Sequence, residues 1–419
     1  MVNQNRYVSG TNRFERRPLI TLTVTLLGIF VILILGAEMV ARWVQPLHTG
    51  EPFKYRIPHP RFGWALAPGE SYVNRLPEES VPVTHSFTGW RDLPRVENKE
   101  EGIQRVLVLG DSFMEAYSVR FEDALPARLE QLISTAQRRV EVINFGVAGY
   151  GTLQEYLVFN AIGHAYRPDV VVLAMHLHND LSDNSQALQS LVRLRATVAS
   201  RPFLDPEVSE PRWRITQVDF ESTQQRLENY RKRQNRLWRR SALLQLARSV
   251  IKSGSRARAK PKPRAYHERR YLAYFGAQYC VQPPEYTQAW DITRRILARL
   301  DYEVRVSGAR LMVISVPAIH EVDEDEMAQI SRDAPQPDKL CLQQAPAYQH
   351  LAKLLKELDI EYLDLLPVFR DTWRRTRTEL FRRSDKHWNP QGHALAAQEL
   401  AVALEDRGYL VRHESPVSP

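Results

Sequence analysis

Short apolar runs separated by helical patterns restrict the fold of this chain more than any other feature. Residues 105–109 (RVLVL), 140–145 (VEVINF) and 169–174 (DVVVLA) are rich in valine, leucine and isoleucine, and helical patterns occupy residues 124–136 and 154–165 between them. Mostly apolar runs of this kind are typical of parallel strands buried on both faces. Strands that alternate with helices predict an α/β layered fold.

The alternation stops and then resumes further along the chain. Residues 186–282 contain no repeated strand–helix pattern, so we interpret them as an insertion in a domain that covers residues 101–410. The later elements are a helix at 287–307, a strand at 309–316, a helix at 348–358, a strand at 360–363 and a helix after Pro390. The length of 419 residues fits one or two domains plus an anchor.

An uncharged segment near the N-terminus predicts a membrane anchor. Residues 18–37 hold twenty residues without a charge, about the length that spans the hydrocarbon core of a bilayer. Four arginines precede this segment: Arg6, Arg13, Arg16 and Arg17. Because positive charge keeps its side of the membrane cytoplasmic, we expect a cytoplasmic tail over residues 1–17. The rest of the chain then lies in the periplasm or another extracytoplasmic space, as in a single-pass inner-membrane protein.

A cleavable signal peptide is the competing interpretation of this segment. Its apolar region spans only about 7–15 residues and ends in small residues. Here the apolar stretch is longer, and Leu35 and Ala37 would form a poor cleavage site. We therefore expect an uncleaved anchor.

The sequence predicts less about the segment between the anchor and the domain, and about the state of the two cysteines. Residues 45–100 are rich in proline and short polar runs, which predicts an extended lead-in with short strands that packs on the domain. Cys280 and Cys341 are the two cysteines of the chain. In an oxidising compartment they could form one disulfide, and two separate buried thiols are the alternative.

The positive charge of the chain is concentrated in one segment. The net charge is +8, but residues 226–270 alone carry sixteen lysines and arginines against two acidic residues, so the remainder is net acidic. We expect a helix at 224–252 and a mobile loop at 253–263 here. The segment is either a solvated helix face, or a surface that meets anionic lipid or guides an acidic polymer. Nucleic acid is not expected for an exported chain.

A serine lies where α/β folds place their active sites, and a histidine near the C-terminus is the candidate for its base. Gly110, Asp111 and Ser112 directly follow the first buried run, and a parallel strand carries its ligand site at its C-terminal edge. A serine hydroxyl becomes a nucleophile only when a base takes its proton. His387 is a candidate for this base, and Asp385, two residues earlier, could orient its ring if the loop is extended.

Two further motifs offer hydrogen-bond donors for an oxyanion. Residues 144–152 (NFGVAGYGT) follow the second run, and the glycine-rich backbone there can expose an N–H group, with Gly149 as the candidate. Residues 176–180 (HLHND) end the third run, and the amide of Asn179 could be a second donor. The spacing of the glycines does not fit a dinucleotide loop. The two histidines have no further histidine-rich partner, so we predict neither a metal nor a cofactor.

Together these motifs resemble the SGNH (GDSL-like) hydrolase superfamily in their order and position. Its nucleophile block is similar to residues 110–112, its glycine block to residues 144–152, and its last block to Asp385 and His387 before the closing helix. Two departures stand out. Leu177 occupies a position where the family usually has glycine, and the spacing D-x-H replaces the common D-x-x-H.

The resemblance implies a flavodoxin-like three-layer sandwich with a parallel central sheet, carrying here an N-terminal transmembrane helix and a helical basic insertion. It also implies a Ser112–His387–Asp385 triad with Gly149 and Asn179 in the oxyanion hole. The shorter D-x-H spacing resembles SGNH-like proteins connected with polysaccharide acetylation. The expected function is therefore hydrolysis of acyl esters on a glycan or lipid. Acyl transfer to a cell-surface polysaccharide and a catalytically silent binding role are the alternatives.

Overall fold

The computed structural model describes residues 17–44, 52–193, 195–208, 213–234, 241–258 and 263–410. The chain divides into a smaller unit, of residues 1–48 and 234–260, and a larger unit, of residues 49–233 and 261–419. Residues 1–16 of the expected cytoplasmic tail lie outside the described part of the chain.

All the strands in the described residues belong to the larger unit. They are β1 (Arg56–His59), β2 (Gly63–Leu66), β3 (Ser71–Arg75), β4 (Ser80–Thr84), β5 (Ile103–Gly110), β6 (Arg139–Asn144), β7 (Val170–Met175), β8 (Arg310–Ser315) and β9 (Glu361–Leu363).

The helices are distributed over the whole chain. They are Pro18–Val44, Ser112–Glu115, Leu125–Ile133, Thr152–Ala161, Asp180–Asn184, Gln186–Val192, Arg195–Ala199, Phe220–Gln234, Ala242–Arg258, Arg264–Phe275, Pro284–Val306, Ile319–Val322, Glu324–Asp333, Pro346–Glu357, Leu366–Thr376 and Pro390–Asp406.

A five-stranded parallel sheet forms the centre of the larger unit. Its strand order is β6-β5-β7-β8-β9, which is the doubly wound order 2-1-3-4-5 of flavodoxin-like folds. Every residue of β5 and β7 is buried, as expected for strands covered on both faces. Helices flank the sheet, and the prediction of a flavodoxin-like layered fold is confirmed. The order reverses beside β5, which puts the ends of β5, β6 and β7 together.

The lead-in forms two antiparallel hairpins. Strand β1 pairs with β2, and β3 pairs with β4. The inward side chains of the second hairpin are buried around Val81 and Val83, whereas Trp64 and Leu66 of the first join the main core of the unit. This alternation of buried and exposed positions is the pattern of a strand with one covered face. The first hairpin lies against the loop that follows β6, through contacts described below.

A disulfide joins two segments of the larger unit. Cys280 and Cys341 are bonded to each other, which decides between the two alternatives that the sequence left open. The bond lies beside a short antiparallel bridge between Tyr279 and Leu340. It links the end of the insertion to the segment before helix Pro346–Glu357.

In its described residues, the smaller unit contains two helices that pack against each other. Helix Pro18–Val44 is long and apolar enough to cross a membrane, and its side chains from Leu19 to Leu35 are largely exposed. The carboxylate of Glu38, near its end, accepts hydrogen bonds from the Ser241 hydroxyl at 2.6 Å and the Ala242 N–H at 2.9 Å. Glu38 therefore caps the first turn of helix Ala242–Arg258.

The basic segment differs from its expected outline. The single helix expected at 224–252 is two separate helices, Phe220–Gln234 and Ala242–Arg258, and residues 235–240 lie outside the described part. The loop expected from residue 253 is wrong, because the helix continues to Arg258. Serine and glycine lower helix propensity only mildly, and the first proline comes at residue 261. Residues 259–262 of the expected loop lie outside the described residues.

Candidate active site

Ser112 lies at the C-terminal end of β5 and begins helix Ser112–Glu115. Asp111 caps this helix, because its Oδ1 accepts the Phe113 N–H at 2.9 Å. A side chain at Gly110 would come within 2.4 Å of Met114 in the same helix, so glycine permits the tight strand-to-helix turn. The Ser112 side chain is half-buried and stands at the carboxyl edge of the sheet.

His387 contacts Ser112 directly, although the two residues are 275 positions apart. Its Nε2 lies 2.7 Å from the Ser112 Oγ, a short hydrogen bond. The Asp385 Oδ2 lies 3.3 Å from the ring Nδ1 of His387, at ion-pair distance but not aligned as a hydrogen bond. The backbone N–H of His387 donates to the Asp385 Oδ1 at 3.2 Å. The structure therefore brings together the three residues expected to form the triad.

The loop that carries Asp385 and His387 is a turn and not the extended segment that we expected. Lys386, between them, has a left-handed backbone with φ of +67°. The turn closes where the Arg382 N–H donates to the His387 carbonyl at 2.8 Å, beside a bridge between Phe381 and Trp388. In an extended segment, alternate side chains face the same side. Here the left-handed residue brings the carboxylate back to the ring over the same D-x-H spacing.

The electrostatics of the site favour a charged Asp385 and a basic His387. Burial is the largest influence and lowers the pKa of His387, but Asp385, Asp111 and Glu115 together outweigh it, so the pKa is raised above 6.5. Burial raises the pKa of Asp385, but His387 and then Arg382 more than compensate, and the pKa is lowered from 3.8. The imidazole is therefore a stronger base than a free histidine.

Gly149 lies in a tight turn after β6. The Tyr150 N–H donates to the Val147 carbonyl at 3.0 Å, and Gly149, third in this four-residue turn, has φ of +80°. These are the features of a type II turn, which needs glycine at its third position. The Val147 N–H in turn donates to the Gly110 carbonyl at 3.0 Å, so the turn is attached to the end of β5. The expected oxyanion glycine thus belongs to the same strand-end region as Ser112.

Asn179 follows β7, on the other side of β5. Its Nδ2 donates to the Asp111 Oδ2 at 3.1 Å, so the amide is held by the residue that precedes Ser112. Asn179 is half-buried, and one N–H of the amide is already used by Asp111. An amide carries two such donors, so the second stays available to a ligand. The unusual Leu177 is buried in the core beside this loop.

Aromatic rings surround the triad. The Phe113 ring lies 4.9 Å from the His387 ring and 4.6 Å from the His176 ring, and Tyr117 contacts His387 edge-on at 5.3 Å. Such packing restricts the rotamers of the imidazole. Among the described residues, no group of three or more histidine, cysteine or acidic side chains could hold a metal ion.

Sequence reasoning missed several buried ionic residues around the site. Glu115 ends the nucleophile helix, and Arg56 of β1 forms an ion pair with it in which both side chains are fully buried. Arg91 donates to the Glu115 carbonyl at 3.0 Å. The sequence offers a signal only for Glu115, which follows Ser112 by three residues and therefore lies one helical turn away. Nothing in the spacing points to the two arginines.

Comparisons with known proteins give one family match. Residues 274–417 match the family described as SGNH hydrolase-like domain, acetyltransferase AlgX. This match confirms the SGNH resemblance. It covers Asp385 and His387 but not Ser112, Gly149 or Asn179. No curated protein is similar enough to the chain to count as a match.

Several solved structures are similar to the chain at low identity. A lipase/acylhydrolase from Enterococcus faecalis is 12% identical with a TM-score of 0.36, over 74% of this chain and 100% of that one. The acetyl xylan esterase AlAXEase is 13% identical with a TM-score of 0.38, over 72% and 99%. A two-domain esterase active on acetylated mannans is 10% identical with a TM-score of 0.37, over 76% and 53%. At these scores the similarities say nothing about substrate.

Proposed function

We propose that this chain, whose residues 274–417 match an SGNH hydrolase-like domain, is a serine-dependent enzyme of acyl esters. Ser112 is the nucleophile, His387 the general base and Asp385 the residue that orients the base. The observation that carries the proposal is the 2.7 Å contact between the His387 Nε2 and the Ser112 Oγ. A nucleophile and a base within hydrogen-bond reach, with the base held by a third group, support nucleophilic catalysis.

The proposed reaction proceeds in two halves. The His387 Nε2 takes the proton of Ser112 as the Oγ attacks the carbonyl carbon of the ester. The Gly149 N–H, the Ser112 N–H and the Asn179 amide hold the resulting oxyanion. The Ser112 N–H suits this role because the first N–H groups of a helix have no intrahelical acceptor. The intermediate then collapses, and the leaving alcohol receives the proton from His387.

The second half transfers the acyl group from Ser112. His387 takes a proton from the acceptor, the acceptor oxygen attacks the acyl-enzyme, and His387 returns the proton to the Ser112 Oγ. If the acceptor is water, the enzyme is an ester hydrolase that acts on groups such as O-acetyl esters of a glycan or lipid. If it is a sugar hydroxyl, the enzyme is an O-acyltransferase. The acetyltransferase named in the family description favours this second candidate.

We also propose that the larger unit works outside the cytoplasm, anchored by helix Pro18–Val44. The apolar length of this helix supports a single membrane crossing. The disulfide between Cys280 and Cys341 supports an oxidising compartment, where such bonds persist. Protease treatment of spheroplasts tests this location: we expect digestion of the larger unit while the membrane is intact. Protection until the membrane is lysed would contradict the proposal.

Labelling with a fluorophosphonate probe tests the nucleophile. We expect the full chain to be labelled, S112A to lose labelling and H387A to be labelled much more slowly, since each lacks one partner of the 2.7 Å contact. S190A is the matched control because Ser190 is an exposed helical serine outside the site. Labelling of S112A at the wild-type rate would contradict the proposal, and a wild-type chain without labelling would favour a silent binding role.

Product analysis separates the two candidate reactions. Wild-type protein that reacts with the fluorophosphonate probe is incubated with 4-nitrophenyl acetate, with and without an acceptor oligosaccharide. Free acetate as the only product identifies a hydrolase, whereas an acetylated oligosaccharide identifies an acyltransferase. Because both reactions share the first half, S112A should abolish either product.

A further inference from the structure

The oxyanion glycine is held by a residue of the lead-in hairpin. The Arg56 guanidinium donates to the Ala148 carbonyl at 2.6 Å, across 92 positions of sequence, and the Trp64 Nε1 donates to the same carbonyl at 3.3 Å. The Arg56 side chain is fully buried and Trp64 is 3% exposed. Two donors of the first hairpin therefore fix the carbonyl directly before Gly149.

Fixing that carbonyl also fixes the direction of the Gly149 N–H. The peptide bond is planar and trans, so the Ala148 C=O and the Gly149 N–H point in opposite directions. Because Arg56 and Trp64 bind the C=O on one side, the N–H faces the other. The Gly149 carbonyl is bound as well, by Arg201 at 2.7 Å, so the peptides on both sides of this glycine are held.

The type of turn explains why binding of the Ala148 carbonyl matters for the orientation of the Gly149 N–H. Residues 147–150 form a type II turn, in which glycine has φ near +80° at its third position. A type I turn has the same ends but the opposite orientation of its central peptide. The central peptide here is the one between Ala148 and Gly149. A donor on the Ala148 carbonyl therefore selects the type II form, and loss of the donor permits the flipped form, with the N–H turned away.

Glu115 couples the turn to the nucleophile helix. Its Oε2 accepts the Ala148 N–H at 2.6 Å and pairs with Arg56 at 3.1 Å. Glu115 lies in the helix that begins at Ser112. Its two partners are Arg56, which binds the Ala148 carbonyl, and the N–H of Ala148 itself. The Ser112 N–H and the Gly149 N–H are thus held in one buried network, at a fixed relation to each other.

We infer that Arg56 is a positioning residue that orients the Gly149 N–H toward the oxyanion, with Glu115 and Trp64 as its supports. This inference rests on the proposed function, because it assigns a role within the same site. Arg56 itself does not contact the reacting atoms. Its effect is on the transition state, since an oxyanion donor acts on the charge that develops there.

The test compares kinetics of the full chain and its variants with 4-nitrophenyl acetate and the fluorophosphonate probe. For R56M we expect kcat and the labelling rate to fall about 100-fold, the loss typical of one misplaced oxyanion donor, while KM changes little. The acidic limb of the pH–rate profile, which reports His387, should be retained in R56M because Asp385 and His387 are unchanged. W64F removes only the weaker donor and should lower kcat a few-fold with an unchanged fold.

R105M is the matched control. Arg105 is equally buried, at 1% exposure, and pairs with Glu141 at 2.7 Å near the start of β5, at the opposite end of the strand from Ser112. Loss of a buried arginine destabilises both variants, and kcat per folded molecule separates that effect from a loss of positioning. We expect R105M to keep the wild-type kcat per folded molecule.

The outcomes separate this inference from the proposed function. Folded R56M and W64F chains that react at the wild-type rate would overturn the role of Arg56, while Ser112 labelling would leave the proposed function standing. Equal losses of kcat in R56M and R105M would likewise overturn it. A wild-type chain that is not labelled at Ser112 would remove the proposed function itself, and the inference with it.

Discussion

The imidazole of His387 lies between a hydroxyl and a carboxylate, and this position determines how the site responds to pH. Burial lowers its pKa, but Asp385, with smaller effects from Asp111 and Glu115, more than offsets burial and raises the pKa above 6.5. As the proposed general base, His387 would work only when it is neutral, so we expect activity to fall as the pH drops through this raised pKa.

Asp385→Asn tests this assignment. Without the carboxylate, the pKa of His387 should fall, so the acidic limb should move to lower pH. The maximal kcat should also fall by about 10³–10⁴-fold, because the ring loses its orienting partner and the stabilisation of the imidazolium. The measurement is kcat/KM from pH 5 to 9. A limb that stays in place would show that Asp385 does not set the basicity of His387.

Glu155 is a second residue with an unusual environment. Its side chain is 1% exposed, and both carboxyl oxygens lack a hydrogen-bond partner among the described residues. Burial, and then the charges of Asp111 and Asp183, raise its pKa well above 4.5. The carboxyl group is therefore held in its neutral form over a wider pH range than in the unfolded chain.

This raised pKa predicts a stability effect with a definite sign. The contribution of neutral Glu155 is complete below the unfolded pKa of 4.5 and is lost as the pH rises through the folded pKa, because the unfolded state alone ionises. Glu155→Gln removes this dependence. The unfolding free energy of E155Q relative to wild type should therefore increase between pH 5 and pH 8. Denaturant unfolding at both values measures it, and a constant difference would contradict the prediction.

At the scale of elements, the turn from Arg382 to His387 determines how Asp385 meets the ring. Lys386 has φ of +67°, and its N–H donates to the Arg382 carbonyl at 3.0 Å. Its exposed ammonium group pairs with Glu326 at 2.6 Å. The backbone conformation is therefore the part of Lys386 on which the site depends.

Two substitutions of Lys386 separate backbone from side chain. Lys386→Gly accepts positive φ, so stability should stay within about 1 kcal/mol of wild type and kcat should be retained. Lys386→Pro fixes φ near −65° and removes the N–H, so the turn should open and kcat should fall about 100-fold. Steady-state kinetics and thermal unfolding measure both. Equal activity of K386G and K386P would show that the turn does not hold Asp385.

The cap that Glu38 supplies is the second feature at this scale. Helix Pro18–Val44 provides the carboxylate, and helix Ala242–Arg258 provides the Ser241 hydroxyl and the Ala242 N–H that bind it. Glu38 is roughly 30 Å along the helix from Pro18, close to the depth at which a bilayer core ends. Whether the basic helix meets anionic lipid there stays a prediction.

Glu38→Ala should loosen the start of the basic helix by about 1 kcal/mol, the usual value of an N-cap. Hydrogen exchange of residues 241–248 in the reconstituted chain measures this change. Arg42 pairs with Glu38 at 2.7 Å on the exposed side, so R42A is a control that removes the ion pair and leaves the cap. Unchanged exchange in E38A would show that the cap does not stabilise the helix.

For the whole molecule, the disulfide is the covalent constraint of the larger unit. It joins residues 61 positions apart, and the closed loop contains helix Pro284–Val306 and strand β8. Crosslinking lowers the entropy of the unfolded chain, with a typical effect of about 2–4 kcal/mol. The double variant C280S/C341S should lower the unfolding free energy by that amount. Wild type treated with a reductant is its control, and a reduced wild type as stable as the oxidised form would contradict the prediction.

The fold, and which candidate residues lie at the same edge of the sheet, could be predicted to a large extent from the sequence. Strands buried on both faces must be apolar, so β5, β7 and β8 stand out as runs of valine, leucine and isoleucine. Parallel strands bring their C-terminal ends to one edge. Motifs that follow such strands, as Ser112 and Asn179 do, are therefore neighbours wherever the sheet order allows it.

The geometry of the site depended on contacts between segments far apart in the chain, which spacing does not encode. The left-handed Lys386, the Arg56 donor to Ala148 and the pairing of Cys280 with Cys341 each follow from how the elements pack. The apolar pattern of a strand reports its own burial, which is a local property. A buried ion pair or a particular turn type depends on a residue far away in the sequence, so local patterns do not predict it and only the folded structure shows it.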